Sequence, residues 1–256
     1  MGIAYNDRKI GRKTAGLTLV ELLIVITMTG ILSALLLPAL STAKEKSRRA
    51  ICASNLRQLI MVVQEYANDS DNYLPSCADD KGYYHSIILS DSVFTNLVDY
   101  AGGSSNIFYC PNIVFGSNPN SVRPYIQNVG YVIGYSYLEL GNVSSSDKAP
   151  DYTVLQQKWP ANSTNELFAD ANYWVPANAS TGGIFKPSMK VAPHTPMGAF
   201  TSQGSSFTVN VPGGSSASVG AVGGNVGFVD GSVFWRNLLK MQTNYASSIN
   251  DAQGIW

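Results

Sequence analysis

The strongest pattern in the sequence is a run of 22 residues without a charge, at positions 22–43, built mostly from Leu, Ile, Val and Ala. As a helix this run would span about 33 Å, which matches the hydrocarbon core of a membrane. A buried core helix and a cleaved secretory signal are the other interpretations. The length argues against a core helix. The only suitable glycine, Gly16, precedes the run, whereas a secretory signal is cut after its apolar segment.

Positions 44–67 change to an amphipathic pattern, in which apolar residues recur every three to five positions and polar residues occupy the rest of the helical wheel. The apolar positions are Ile51, Leu56, Leu59, Ile60, Val63 and Tyr66. Turn-forming residues at 68–72, followed by Pro75, end the pattern. We therefore expect one long helix over residues 18–67, whose second part packs on a globular domain.

Beyond position 75 the chain alternates short apolar runs with Gly, Pro, Asn and Ser, which is typical of short strands joined by loops. Asp230 and Gly231 stand between two such runs and form the preferred two-residue hairpin loop. This loop would place four apolar residues on the sheet face that covers the helix: Val226, Phe228, Val233 and Trp235. The predicted strands are 107–110, 131–137, 166–169, 207–211, 225–229 and 232–236, and a short helix at 87–100 precedes them.

Composition and charge narrow the class of protein. Lys+Arg and Asp+Glu are equal at 17 each, which removes any whole-chain argument for a nucleic-acid partner. The 14 Tyr, 9 Phe and 4 Trp supply enough apolar area for a folded core and argue against disorder. The three cysteines are too few for a disulfide scaffold and lack the spacing of a zinc site. No run of calcium ligands is visible around Asp170 or Asp230, so we expect no metal and no cofactor.

Residues 16–21 read Gly-Leu-Thr-Leu-Val-Glu between a basic leader and the apolar run, and here the sequence resembles the type IV prepilins and type II secretion pseudopilins. The resemblance implies cleavage between Gly16 and Leu17 by a prepilin peptidase, followed by N-methylation of Leu17. Glu21 then falls at the fifth mature position and Pro38 at the twenty-second, both typical of that family. Most members begin with Phe, so Leu17 is a departure.

Glu21 supports the same interpretation on physical grounds. A carboxylate in an apolar span costs a few kcal/mol and persists where it finds a partner. The resemblance implies that the partner is the freed amine of a neighbouring subunit, and such a pair would set the register between packed helices. A lone Glu reaching for the membrane interface is the alternative. Gly30 and Pro38 predict a kink or a melted turn between them, because Pro removes a helical hydrogen bond.

The charges flanking the apolar run predict orientation. Four basic residues in the leader should remain in the cytoplasm and send the C-terminal part outward, although four more basic residues at 44–49 compete with them. We expect a single-pass protein of the inner membrane, with a cytoplasmic N-terminus and a periplasmic or extracellular C-terminal domain, that passes into a filament after assembly.

A second resemblance covers the C-terminal part. The Cys-Ala-Ser-Asn-Leu-Arg-Gln run from Cys52, the Phe-Tyr-Cys-Pro run around Cys110 and the terminal Phe-Val-Asp-Gly are similar to a pilin-like group described by His, nine residues, then Asp-Gly. Here Asp230 follows His194 by 36 positions, which is a departure. The resemblance favours a Cys52–Cys110 disulfide. A Cys77–Cys110 bridge and three thiols remain open.

The sequence thus predicts an α+β, pilin-like fold, with one long N-terminal α-helix packed on an antiparallel β-sheet with long loops. The expected parts are a cleaved leader at 1–16, a transmembrane and assembly helix at 17–43, the amphipathic half of the helix and its end at 44–75, and a β-rich domain at 76–256.

The expected function is structural. The chain would be a type II secretion pseudopilin, a non-enzymatic subunit of an envelope-spanning filament. Its partners would be the prepilin peptidase, copies of itself, other pilin-like subunits, an inner-membrane assembly platform and membrane lipid. A type IV pilin for adhesion, motility or DNA uptake is the close alternative. A membrane-tethered enzyme or glycan-binding module is a more distant one, which a clustered site of His194 and an aspartate in a pocket would favour.

Overall fold

The computed structural model describes residues 18–81, 85–113, 125–138, 158–159, 165–174, 190–194, 221–241, 243–245 and 253–255. The predicted cleavage site at Gly16 and Leu17 and the predicted strand at 207–211 lie outside these residues. The chain divides into two compact units, an N-terminal unit at Met1–Ala43 and a C-terminal unit at Lys44–Trp256.

One helix, α1, runs over Leu19–Asp69, close to the predicted 18–67. In its N-terminal part every Leu, Ile, Val and Met from position 19 to position 40 is between 47% and 82% exposed. By length and composition α1 is able to cross a membrane, and it is the only such helix in the described part of the chain. These apolar side chains are therefore not buried within the N-terminal unit itself.

The part of α1 that belongs to the C-terminal unit buries one face. Its buried residues are Glu45, Cys52, Leu56, Leu59, Ile60, Val62, Val63 and Ala67. Four of the six predicted apolar positions lie on that face, but Ile51 is 47% exposed and Cys52 takes the core position instead. The hydrophobic pattern therefore predicted the buried face of α1 with an error of one residue.

A second helix, α2 (Asp91–Tyr100), and eleven short strands complete the described fold. The strands are β1 (Ile88–Leu89), β2 (Tyr125–Ile126), β3 (Gly130–Val132), β4 (Tyr135–Tyr137), β5 (Glu166–Asp170), β6 (Tyr173–Trp174), β7 (Lys190–Val191), β8 (Gly223–Phe228), β9 (Val233–Asn237), β10 (Thr243–Tyr245) and β11 (Gln253–Ile255). They form three antiparallel sheets, ordered β4-β5-β8-β9, β1-β3-β2 and β10-β11-β6-β7. An α+β arrangement of one long helix with antiparallel sheets is therefore present.

The sheet β4-β5-β8-β9 packs on the C-terminal part of α1. Gly227 in β8 lies so close to the helix that an added Cβ would stand 2.8 Å from Cδ1 of Ile60. Phe168 and Val233, which pair with Gly227 across the sheet, share a hydrophobic core with Leu56 of α1. The glycine allows the sheet and the helix to approach closely.

The β8–β9 hairpin differs from the prediction by one residue. Gly227 pairs with Val233 and Asn225 with Trp235, so the loop has three residues, 229–231, and not two. Gly231 adopts a φ of +83°, as expected for a three-residue hairpin loop that ends in the left-handed region. Because a slip of one residue exchanges the faces of a strand, Val226 and Phe228 face away from α1. Asn225 and Gly227 face it, which brings a polar residue to the helix.

Three other predictions were wrong in detail. Residues 107–110, expected as a strand, contain a 3-10 helix at Asn106–Phe108. The expected strand at 131–137 is interrupted and forms β3 and β4. The expected helix at 87–100 begins only at Asp91, because Ser90 caps its N-terminus through the backbone N–H of Val93.

Candidate functional site

The N-terminus of α1 is closed by hydrogen bonds between Thr18 and Glu21. Oε2 of Glu21 accepts from the backbone N–H of Thr18 at 2.8 Å and from its hydroxyl at 2.7 Å. The backbone N–H of Glu21 donates to Oγ1 of Thr18 at 3.3 Å. This is a capping box, a Thr followed three positions later by a Glu, and the sequence carries its signature. Glu21 therefore has an intrachain role that sequence analysis did not assign to it.

Gly30 and Pro38 lie inside α1, which continues through both without interruption. The structure thus has no melted turn between them. The carbonyl of Pro38 accepts hydrogen bonds from the hydroxyls of Ser41 at 2.9 Å and Thr42 at 3.1 Å. A Cβ added at Gly30 would meet nothing within 4 Å. A kink at these positions in an assembled filament stays a prediction.

The C-terminal unit contains a buried group of polar side chains that we call the polar cluster: Glu45, Arg49, Asn112, Asp170, His194 and Asn225. Its centre is the carboxylate of Glu45, which accepts from Nε of Arg49 at 3.0 Å and Nδ2 of Asn112 at 2.9 Å. Nδ1 of His194 lies 2.8 Å from the same carboxylate. Burial acts to raise the pKa of Glu45, but these hydrogen bonds outweigh it and lower the pKa below its ordinary value.

His194 is fully buried between two carboxylates. Nδ1 faces Glu45, and Nε2 lies 3.2 Å from Oδ2 of Asp170, in an ion-pair contact. Burial acts to lower the pKa of His194, but Asp170 and Cys52 raise it to about 10. Both neighbours favour the charged form of the imidazole.

Asp170 and Arg49 extend the polar cluster to the sheet. Oδ2 of Asp170 accepts from the backbone N–H of Asn225 at 2.6 Å and from its Nδ2 at 2.9 Å. The Arg49 guanidinium carbon lies 4.1 Å from the ring centroid of Trp235, a cation–π contact. The two cations of the polar cluster, Arg49 and His194, balance its two anions, Glu45 and Asp170. The cluster connects α1 to the loop that contains Asn112, to β5, β8 and β9, and to the residues after β7.

Cys52 and Cys110 meet beside the polar cluster. Their Sγ atoms lie 2.9 Å apart, and both residues are buried. The hydrogen bond with Cys110 is the main cause of a lowered pKa at Cys52, while burial raises the pKa of Cys110. The pairing favoured by the second resemblance is thus the pair that the fold brings into contact, although the structure has no bond between these sulfurs.

His194 and Asp230, the residues suggested by the His and Asp-Gly resemblance, are placed differently. Asp230 is exposed in the hairpin loop, where its Oδ1 accepts from the backbone N–H of Ser232 at 2.9 Å. Hydrogen bonds with the side chain and then the backbone of Ser232 lower the pKa of Asp230. The carboxylates beside His194 are those of Glu45 and Asp170. Asp230 thus serves the turn, and Asp170 supplies the aspartate of the cluster.

Sequence analysis missed most of the polar cluster, which gathers residues from positions 45 to 225. Only the contact between Glu45 and Arg49 could have been predicted from the sequence, because opposite charges four positions apart pair on one helix face. The enzyme hypothesis required a histidine close to an aspartate, and His194 does lie beside Asp170. Both His194 and Asp170 are at most 1% exposed, however, so neither presents its side chain to a substrate in this conformation.

Comparison with known proteins adds no relative. No family model matches the chain, and no curated protein and no solved structure matches it significantly.

Proposed function

We propose that this chain is a structural subunit of an envelope-spanning filament, of the type II secretion pseudopilin kind. In this proposal a prepilin peptidase cleaves between Gly16 and Leu17 and methylates Leu17. The mature subunit waits in the inner membrane and then joins a helical bundle of subunits through the N-terminal part of α1.

The observation that carries the proposal is the uncovered apolar surface of the N-terminal unit. A continuous helical surface of Leu, Ile, Val and Met at 47–82% exposure is stable only in lipid or against other apolar helices. The C-terminal unit, in contrast, has its own hydrophobic core and polar cluster. An apolar helix joined to a separately folded domain is what a subunit needs if it is to move from lipid into a filament.

Glu21 is the only charged residue between positions 17 and 43, and its capping bonds leave it able to act in assembly. Both bonds from Thr18 end on Oε2, so Oε1 takes part in neither. An N-terminal amine of a neighbouring subunit would find a carboxylate oxygen already ordered at the helix start. A carboxylate that misses its partner in an apolar environment costs about 2.5–3.5 kcal/mol on insertion scales, which would disfavour misaligned subunits.

Mass spectrometry of the N-terminus of the mature protein tests processing. The expected product, recovered from membranes of cells that contain a prepilin peptidase, begins with N-methylated Leu17. A Gly16→Arg variant should keep its leader and remain in the membrane. Recovery of the wild-type protein with its leader attached, or cut beyond position 43, would remove the basis of the proposal.

Glu21→Ala tests assembly separately from processing. The variant should insert and be cleaved normally, while the yield of sheared filaments falls because the register-setting pair is lost. Glu65→Ala changes the same residue type at an exposed position of the same helix, and it should assemble like the wild type. Equal filament yields from the wild type and Glu21→Ala would refute the role of Glu21. A retraction motor encoded beside the gene would assign the filament to a type IV pilus.

A further inference from the structure

We propose that Cys52, Cys110 and His194, together with Asp170, form a buried Zn²⁺ site in the C-terminal unit. The two Sγ atoms and one imidazole nitrogen already lie within 4.8 Å of one another, and all three residues are buried. Thiolate and imidazole are the preferred ligands of Zn²⁺. This inference concerns the C-terminal unit alone and does not depend on filament assembly.

Two distances can be compared with those of tetrahedral zinc. With Zn–S near 2.3 Å and Zn–N near 2.0–2.1 Å, two thiolates stand about 3.8 Å apart and an imidazole nitrogen about 3.3 Å from a carboxylate oxygen. Nε2 of His194 lies 3.2 Å from Oδ2 of Asp170. The two sulfurs, at 2.9 Å, would separate by about 0.9 Å, which small side-chain rotations supply.

Within the described part of the chain, two buried polar atoms of these residues make no hydrogen bond, although Nε2 of His194 keeps its ion-pair contact with Oδ2 of Asp170. They are Nε2 of His194 and Oδ1 of Asp170. A buried polar atom that lacks a partner costs about 1–3 kcal/mol, so such atoms in a folded protein call for an explanation. Coordination by a cation would satisfy Nε2 of His194.

The surroundings orient the ligands as zinc sites require. Nδ1 of His194 is held by Glu45 at 2.8 Å, and zinc-binding histidines commonly donate their second nitrogen to a carboxylate. A neutral His194 that donates from Nδ1 to this carboxylate has Nε2 available for the metal. The backbone N–H of Asn112 points to Sγ of Cys110 at 3.4 Å, which favours a thiolate there. Glu45 and Asn112 are therefore positioning residues.

Proton and charge balance follow from these assignments. Zn²⁺ binds as the two thiols and Nε2 of His194 release their protons to solvent, and no electron is transferred. Two thiolates and the Asp170 carboxylate offset the metal charge, leaving one net negative charge on the coordinated ion. Arg49 and Glu45 offset each other within the same cluster, so the metal-loaded cluster keeps this one negative charge. A Cys52–Cys110 disulfide, in contrast, requires an oxidant and excludes this site.

Elemental analysis of the wild type distinguishes the two states without a variant. The full chain is purified in detergent under mild reduction, incubated with ZnCl₂ and freed of unbound ion. The expected result is an equimolar amount of zinc and, after denaturation with a chelator, three reactive thiols. Co²⁺ in place of zinc should give tetrahedral ligand-field bands and sulfur-to-cobalt charge transfer. A zinc-free protein overturns the proposal, whether peptide mapping then finds a Cys52–Cys110 disulfide or three thiols.

Variants test the assignment of ligands. Cys52→Ser and His194→Gln should abolish equimolar zinc binding, and with it the sulfur-to-cobalt charge-transfer band. Cys77→Ser replaces the other buried cysteine and should bind like the wild type. Glu45→Gln should lower the affinity about 10–100-fold with unchanged stoichiometry, as expected for an orienting residue. Equal zinc binding by the wild type, Cys52→Ser and His194→Gln would overturn the site.

Discussion

Glu45→Ala tests whether the polar cluster stabilises the C-terminal unit. The substitution removes the acceptor of three hydrogen bonds, from Arg49, Asn112 and His194. The Arg49 side chain is 27% exposed and can hydrogen-bond to water instead. Losing its bond to Glu45 should therefore change the unfolding free energy little. Asn112 and His194 are 0% exposed, and each buried donor left without an acceptor costs about 1–3 kcal/mol.

The variant should therefore lose about 3–5 kcal/mol of unfolding free energy, the usual cost of removing one partner from a buried ion pair. Urea unfolding of the full chain in detergent, followed by tryptophan fluorescence, measures this loss by linear extrapolation. A chelator keeps bound metal from adding to the difference. Trp235 reports locally, because it contacts Arg49 and lies 5.5 Å from the His194 ring, centroid to centroid.

Glu65→Ala is the matched control, since Glu65 is an exposed glutamate on the same helix. It should change the unfolding free energy by no more than about 0.5 kcal/mol. A loss below about 1 kcal/mol in Glu45→Ala would mean that the buried donors find other acceptors. The stabilising role of the polar cluster would then be refuted.

Three further predictions concern the backbone and packing. Thr18→Val removes the hydroxyl of the capping box and should cost about 0.5–2 kcal/mol of helix stability, seen as faster amide hydrogen exchange in the first turn. Thr27→Val, whose hydroxyl bonds only a helix carbonyl, should leave that exchange unchanged. Gly227→Ala should lower the unfolding free energy by about 1–3 kcal/mol, because the new Cβ would stand 2.8 Å from Cδ1 of Ile60. Ile60→Val deletes Cδ1, so adding it to Gly227→Ala should restore most of the lost stability. Gly231→Ala should cost about 1–2 kcal/mol through its φ of +83° alone, since no atom lies within 4 Å of the new Cβ, and a midpoint of urea unfolding equal to that of the wild type would contradict this.

Secondary structure was predictable where a local pattern is long. The apolar run and the amphipathic repeat located α1 to within two residues at each end, because helix periodicity accumulates over many turns. Short strands were less certain. The pattern found β5, β8 and β9, but residues 106–108 form a 3-10 helix, since three or four apolar residues fit a strand and a turn equally well.

The hairpin shows how a small local error changes a site. Asp230 and Gly231 marked the turn, but the sequence did not reveal that Val229 joins the loop. The shift of one residue brings Asn225 to the face of α1, where its Nδ2 bonds Asp170 and the carbonyl of Arg49. Register therefore decided that this face carries a polar residue as well as apolar ones.

The sequence by itself determined the uncharged run at 22–43, the lone Glu21 before it and the amphipathic stretch that follows, and it carries the signature of the Thr18 cap, although sequence analysis did not predict that cap. Each depends on residues a few positions apart, which a helix brings together on its own. Only the tertiary structure decided the polar cluster and the meeting of Cys52, Cys110 and His194. Their partners are separated by up to about 180 positions, and chain reversals that depend on packing and register bring them into contact.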